Sequence, residues 1–184
     1  MSTALRLTAD EYDQMIAKGA FDGIPRKIEL IRGELREMNP ASPVHEDYID
    51  YLNRWSTDAT TSRDCVVRVQ SSIDLLDSRP EPDLTWLRPG RYAARRPQAS
   101  DVLLLIEVAH SSLPSDMGEK AELYAEFNVA EYWVIDVASR CIHVFADAVN
   151  HAYQDRGQLT VGQTLSPRCR PDAVLVLADL FSET

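Results

Sequence analysis

The stretch DVLLLIEVAHSS, residues 101–112, places five consecutive aliphatic residues, Val102 to Ile106, directly before Glu107. An apolar run without polar alternation is typical of a strand covered on both faces, most often the central strand of a mixed or parallel sheet. A carboxylate buried in such a strand costs several kcal/mol unless it is neutralised, paired or bound to a cation. The rest of the chain must therefore supply a partner for Glu107.

The segments before this strand predict two helices and a hairpin. LTADEYDQMIAKG (7–19) predicts a short helix with a capping box formed by Thr8 and Glu11 and an end at Gly19. RKIELIRGELREM (26–38) alternates around Arg32-Gly33 and predicts a hairpin, whereas residues 44–60 have the spacing of an amphipathic helix.

The remaining segments predict more strands and one more helix. Strands are predicted over CVVRVQSSIDLL (65–76) and PDLTWL (82–87). A helix with Asp116 as N-cap is predicted over SDMGEKAELYAEFN (115–128). A second hairpin is predicted over EYWVIDV and CIHVFA. The rest of the chain is β-rich before a short terminal LADLF. This order predicts an α/β fold with a mixed β-sheet flanked by helices, in a single domain of residues 1–184.

Composition excludes several classes of protein. The net charge of -10 argues against attraction of the whole surface to nucleic acid or anionic lipid, so that a nucleic-acid partner needs a local basic patch. No apolar run approaches the roughly 18 residues of a transmembrane helix, and the first residues lack a secretory signal, which predicts a cytoplasmic protein. The three cysteines and four histidines have no spacing typical of a disulfide framework, a zinc site or a histidine-based metal site.

Two further residues are expected beside Glu107. Asp83 follows Pro82 on the strand that precedes the buried one, and consecutive strands are commonly neighbours, about 4.8 Å apart. Lys120 lies in the helix that follows, where the spacing of Asp116, Lys120 and Tyr124 predicts one helical face. Such carboxylates suit Mg²⁺, which would neutralise Glu107 and activate a water, while Lys120 could orient that water or stabilise negative charge.

Five blocks of the sequence follow one another in this order: IELIRGELREMNPASPVH, PDLTWL, LLIEVAHSS, DMGEKAELYA and EYWVIDV. Together they resemble the Uma-type bacterial family of restriction-endonuclease-like proteins. That family is assigned to the PD-(D/E)xK nuclease superfamily. The resemblance runs from about Leu7 to Phe181. It implies a restriction-endonuclease-like core, with Mg²⁺ or Mn²⁺ held by Asp83 and Glu107 and with Lys120 as the signature lysine. In the usual signature that lysine stands two residues after the acid, where this chain has Ala109, so Lys120 must reach the site from the neighbouring helix.

The resemblance also places supporting residues in or beside the blocks that line the cleft, namely Glu29, His45, Gln70 and Tyr124. Glu29 or Gln70 could extend the water shell of the metal. A separate loop, LRPGRYAARRPQAS (87–100), contains only basic charges, and in an acidic chain it is the best candidate for contacting phosphate through Arg88, Arg91, Arg95 and Arg96.

These residues favour a metal-dependent endonuclease that hydrolyses DNA phosphodiester bonds, with Asp83, Glu107 and Lys120 as catalytic residues. A binding or regulatory module that keeps the fold without turnover is the first alternative, and a small-molecule hydrolase with the same metal is the second. A homodimer is expected, because two copies related by a two-fold axis cut both strands of a duplex most simply.

Overall fold

The computed structural model describes residues 5–38, 42–61 and 63–182. The strands within these ranges are β1 (Ile28–Ile31), β2 (Glu34–Glu37), β3 (Val66–Val69), β4 (Leu84–Leu87), β5 (Val102–Ala109), β6 (Glu131–Asp136), β7 (Cys141–Val149), β8 (Ala152–Thr160), β9 (Thr164–Leu165) and β10 (Leu175–Val176). The helices are α1 (Ala9–Ala17), α2 (Pro43–Ala59), α3 (Leu113–Ser115), α4 (Ala121–Glu126) and α5 (Leu177–Leu180). A π-helical segment, Asp116–Lys120, joins α3 to α4.

The main sheet confirms the predicted mixed α/β fold. Its spatial order is β3-β4-β5-β6-β7-β8, and all neighbours are antiparallel except β5 and β6, which run parallel. The connection between β5 and β6 carries α3, the π-helical segment and α4, as a crossover between parallel strands requires. β5 lies inside the sheet and is buried along nearly its whole length, as its apolar run predicts.

Separate hydrophobic clusters cover the two faces of this sheet. Leu105 and Tyr132 pack with Tyr124 of α4 on one face. Ile106 and Trp133 pack with Leu52 of α2 on the other. Because alternate residues of β5 enter opposite clusters, Glu107 shares its face with Leu105 and points toward α4.

The amino-terminal segments form a layer beside the sheet. The capping box of Thr8 and Glu11 is present at the start of α1, and β1 pairs with β2 in the predicted hairpin. Gly33 at the turn has a φ of 76°, and a Cβ there would lie 2.9 Å from the Leu7 carbonyl oxygen, so a side chain would clash. A bridge between Leu30 and Arg79 attaches the hairpin to the segment before β4, which brings β1 close to the sheet.

Two local predictions are wrong. The strand predicted over residues 65–76 ends at Val69, because Gln70 adopts a left-handed φ of 44° that turns the chain away from the ladder. Asp116 is not an N-cap, because the helical run already begins at Leu113, where Pro114 in the first turn favours a helix start. The backbone N–H of Asp116 instead donates to the Ser112 carbonyl oxygen at 3.0 Å.

Among the helices of the described ranges, none has the length and apolar character needed to cross a membrane.

Candidate active site

The strand order brings Asp83 and Glu107 together, as the sequence predicts. Asp83 directly precedes β4, and since Leu84 pairs with Ile106 of β5, Asp83 stands opposite Glu107. The backbone N–H of Val108 donates to Oδ2 of Asp83 at 2.8 Å, and the N–H of Asp83 donates to Oε2 of Glu107 at 3.4 Å. Both carboxylates are buried, with relative exposures of 5% and 4%.

The helical run supplies the cation beside Glu107. Nζ of Lys120 donates to Oε1 of Glu107 at 3.0 Å, and the hydroxyl of Tyr124 donates to the same oxygen at 3.0 Å. Lys120 and Tyr124 lie four residues apart, so both face the sheet from one side of the helix. Ala109, at the usual position of the signature lysine, is buried, and the lysine that contacts Glu107 lies on the helical run.

A π-helical turn ends at Lys120 and precedes the α-helical turn of Tyr124. Such turns insert an extra residue into a helix and are frequent at functional sites. This turn also carries Asp116, whose Oδ1 lies 3.8 Å from Nζ of Lys120. The sequence spacing predicts that these three side chains share a face, but it does not predict the π-helical geometry.

Carboxylates surround Lys120 from several elements. Besides Glu107 and Asp116, Oε1 of Glu29 on β1 lies 3.7 Å from Nζ. Burial and the neighbouring acids Asp83 and Asp116 raise the pKa of Glu107 well above its ordinary value, although Lys120 opposes this. Burial alone would lower the pKa of Lys120, but Glu107, Glu29 and Asp116 together raise it, so the ammonium stays charged. Within the protein, Lys120 is therefore the partner of the buried carboxylate.

His45 contacts Asp83 from the first turn of α2. Its Nε2 lies 3.2 Å from Oδ2 of Asp83, and this hydrogen bond raises the pKa of His45. Ser42 caps the helix by accepting from the backbone N–H of His45 at 3.3 Å. Nδ1 of His45 is buried and has no hydrogen-bond partner among the described residues. His45 therefore holds Asp83 through Nε2, while Nδ1 is enclosed by the protein.

Glu29 and Gln70 complete the predicted set at different depths. Glu29 is buried, and its Oε2 accepts the backbone N–H of Glu81 at 3.3 Å. Gln70 lies at the edge of the cleft, where its Oε1 accepts from Nζ of Lys27 at 2.8 Å. Its backbone N–H donates to the Asp83 carbonyl oxygen at 3.0 Å, which ties the end of β3 to the start of β4.

These side chains line an open cleft of about 660 Å³. Glu29, His45, Gln70, Asp83, Glu107 and Lys120 are among its lining residues, while Tyr124 lies fully buried behind Glu107. The cleft also has basic residues that the sequence patterns did not single out, Arg26, Lys27 and Arg36. Arg26 and Lys27 directly precede β1 and Arg36 lies in β2, but only the fold shows that this hairpin forms one wall of the cleft.

The four arginines of the basic loop do not line this cleft. Arg95 pairs with Asp101 at 2.6 Å and Arg96 with Asp13 at 2.7 Å, so both carry a counter-charge. Nε of Arg88 donates to the Ser100 carbonyl oxygen at 3.0 Å, and Arg91 is exposed. Arg95 and Arg96 line a neighbouring hollow of about 500 Å³, and Gln70 lines both the hollow and the cleft.

The donor set fits a hard divalent cation. The short hydrogen bonds engage Oδ2 of Asp83 and Oε1 of Glu107, so among the described contacts the second oxygen of each carboxylate is the better placed to bind an ion. Mg²⁺ binds through one or two carboxylates and keeps several waters, and the open cleft has room for them.

Comparison with known proteins shows the family and a similar fold. The fold is similar to a crystal structure described as "a putative nuclease belonging to DUF820 from Anabaena variabilis", with a TM-score of 0.77 and 14% identity over 95% of this chain and 97% of that chain. No curated protein matches the sequence. The model of the Uma2 family, described as "Putative restriction endonuclease", matches residues 9–178. Because this match spans nearly the whole chain, the protein belongs to the Uma2 family.

Proposed function

We propose that the protein is a metal-dependent endonuclease that hydrolyses DNA phosphodiester bonds. The observation that carries the proposal is the buried pair of Asp83 and Glu107 at the floor of an open cleft, with Nζ of Lys120 3.0 Å from Glu107. Two carboxylates and a lysine in one cleft are suited to phosphoryl transfer from a phosphodiester to water. The family description and the similar nuclease fold support this reaction class.

Asp83 and Glu107 would hold Mg²⁺ or Mn²⁺, with Glu29 close enough to support its water shell. A divalent ion bound there would polarise a phosphoryl oxygen and lower the pKa of an attacking water. Its charge would also offset the desolvation cost of the buried carboxylates. The single positive charge of Lys120 balances the negative charge of these carboxylates only in part.

The protein side chains then have separate roles. Lys120 is charged and lies at the cleft, so it can orient the attacking water or stabilise the negative charge that develops on the phosphate. Tyr124 is buried behind Glu107 and fixes the position of that carboxylate through its hydroxyl. His45 does the same for Asp83. Tyr124 and His45 are therefore positioning residues.

DNA is proposed to run from the carboxylate cleft over Gln70 to the basic loop. Gln70 borders both hollows, and the second hollow is lined by Arg68, Arg95 and Arg96. Tyr92 stands between two arginines there, with the guanidinium carbons of Arg68 and Arg95 5.3 and 5.5 Å from its ring centre. Basic side chains beside an aromatic ring suit a nucleic-acid strand.

A cytoplasmic homodimer is the proposed working form, because a two-fold pair of sites would cut both strands of a duplex. Light scattering should then give twice the chain mass of 20.7 kDa, whereas a mass of one chain across micromolar concentrations would exclude the dimer.

One observation favours a non-catalytic DNA-binding module as the alternative. Lys120 is enclosed by Glu107, Glu29 and Asp116, so the carboxylates already have a counter-ion without any metal.

Plasmid cleavage tests the proposal. Purified protein should nick supercoiled DNA with Mg²⁺ or Mn²⁺ and not with chelator, and the double variant Asp83→Ala, Glu107→Ala should be inactive. Asp172→Ala is the matched control, because Asp172 also follows a proline but is exposed and paired with Arg170. DNA binding without cleavage by folded wild-type protein would favour the alternative.

A further inference from the structure

A second group of metal-binding side chains lies on the hairpin of β6 and β7. Asp136 ends β6, Cys141 begins β7 directly opposite it, and His143 follows two residues later on the same face. Sγ of Cys141 lies 3.6 Å from Nε2 of His143, and Oδ2 of Asp136 lies 3.9 Å from that same nitrogen. One ligand atom from each residue lies within 4.8 Å of the other two.

This geometry does not suit a cysteine nucleophile with a histidine base. A base that is oriented by a carboxylate uses one ring nitrogen for the thiol and the other for the carboxylate. Here the thiol and the carboxylate both approach Nε2. Three donor atoms of different chemistry that lie this close together are instead an arrangement that can hold a metal ion.

We propose that Asp136, Cys141 and His143 form a binding site for Zn²⁺. Zinc is bound by cysteine, histidine and carboxylate ligands at about 2.0–2.3 Å with tetrahedral geometry. Those bond lengths place a sulfur and a nitrogen ligand about 3.6 Å apart, and an oxygen and a nitrogen ligand about 3.4 Å apart. The observed separations of 3.6 and 3.9 Å are close to these values, and the third pair, Cys141 and Asp136, lies within 4.8 Å.

The surroundings of the three ligands also suit zinc. Oδ1 of Asp136 accepts the backbone N–H of Ser139 at 2.9 Å, which fixes the carboxylate and leaves Oδ2 directed at His143. Nε2 of Gln158 on β8 donates to Sγ of Cys141 at 3.1 Å, a contact that stabilises a thiolate ligand. Cys141 is buried, but the His143 side chain is 18% exposed, which provides a route for the ion and a fourth ligand position for water.

This site is distinct from the carboxylate cleft in place and in chemistry. Asp136, Cys141 and His143 are not among the described residues that line the cleft. A thiolate and an imidazole select a borderline ion such as Zn²⁺, whereas the oxygen ligands of Asp83 and Glu107 select Mg²⁺ or Mn²⁺. Zinc would link β6 to β7, because Asp136 and Cys141 lie on these two strands. Asp136 also pairs with Ala109 of β5, and Ala109 lies two residues after Glu107. The ion would therefore stabilise the sheet next to the cleft.

Cobalt substitution tests the site directly, because Co²⁺ bound to a thiolate has a sulfur charge-transfer band in the near ultraviolet. The chelator-treated full chain should bind one Co²⁺ with this band and with the intense visible bands of tetrahedral geometry, and Zn²⁺ should displace it. Cys141→Ser should abolish the charge-transfer band, and His143→Gln should weaken Co²⁺ binding at least tenfold. Cys169→Ser is the matched control, since Cys169 is exposed and distant in sequence, and Glu107→Gln controls for the carboxylate cleft.

Each outcome decides the proposal. Loss of the band in Cys141→Ser with retention in Cys169→Ser and Glu107→Gln supports the site. No band in the wild type, a band that survives Cys141→Ser, or a band that disappears in Cys169→Ser or Glu107→Gln would overturn it. If Cys141→Ser does not fold, the partly exposed His143→Gln decides instead. Zn²⁺ should then raise the Tm of the wild type but not of His143→Gln, and an equal rise in both would reject the proposal.

Discussion

The ammonium group of Lys120 lies 3.0 Å from Oε1 of Glu107, although one residue belongs to a helical turn and the other to the buried strand β5. The cation beside this buried acid is thus supplied by a different element of the fold. The same ammonium lies within 3.8 Å of Glu29 and Asp116. Lys120 is therefore both the proposed catalytic cation and the counter-ion of a buried acidic cluster.

Replacing Lys120 by methionine should destabilise the protein in chelator. Removing one partner of a buried ion pair leaves an uncompensated charge and costs about 3–5 kcal/mol, although protonation of Glu107 will limit the loss. Urea unfolding measures this change, and Mg²⁺ should restore part of the stability while cleavage stays abolished. Lys27→Met is the matched control, because Lys27 lines the same cleft but is exposed. Equal losses in both variants would contradict the counter-ion role.

The stability of the protein in chelator should fall as the pH rises above the pKa of an unfolded glutamate, about 4.3. Burial raises the folded-state pKa of Glu107 and of Asp116, so the folded state binds protons more tightly than the unfolded state and loses this advantage as pH rises. Glu107→Gln removes one of these groups, so its stability relative to wild type should increase as the pH rises above the pKa of an unfolded glutamate. The exposed Glu122→Gln should run parallel to wild type. A decreasing relative stability of Glu107→Gln would contradict the assignment.

Tyr124→Phe should slow DNA cleavage about tenfold, because a hydrogen bond to a charged group contributes about 1.5–3 kcal/mol and the hydroxyl of Tyr124 fixes Glu107. Tyr132→Phe is a close control. Tyr132 is equally buried, but its hydroxyl donates to the Asp116 carbonyl oxygen at 3.1 Å rather than to Glu107. Single-turnover cleavage rates compare the two variants. A rate unchanged in Tyr124→Phe, or lowered equally in Tyr132→Phe, would remove Tyr124 from the site.

The sequence predicts the fold and the position of the deepest residues of the candidate site, because both depend on strong local patterns. The aliphatic run before Glu107 predicts the buried strand, and consecutive strands place Asp83 beside it. The sequence does not predict the π-helical turn of Asp116–Lys120, because the spacing of Asp116, Lys120 and Tyr124 indicates only that they share one helical face. It also misses the donors Asp136, Cys141 and His143, because strand pairing rather than sequence spacing brings them together.

The basic loop should contribute to DNA affinity but not to metal binding. Replacing Arg88, Arg91, Arg95 and Arg96 by serine should reduce the slope of log affinity against log salt by roughly 0.9 for each phosphate that is no longer neutralised. Arg95 and Arg96 line the hollow that adjoins Gln70, so the double variant Arg95→Ser, Arg96→Ser should reduce the slope more than Arg88→Ser, Arg91→Ser does. A salt slope unaltered in the quadruple variant would show that the loop does not bind DNA.

Asp83 and Glu107 are proposed to bind one divalent cation together, and calorimetric titration with Mg²⁺ measures that binding. Wild-type protein and the exposed control Asp172→Asn should each bind Mg²⁺ at the cleft. Asp83→Asn and Glu107→Gln should each lose that binding while remaining folded, because both replacements keep the size of the side chain. No heat of binding in the wild type, or an affinity unchanged in Asp83→Asn, would contradict the account.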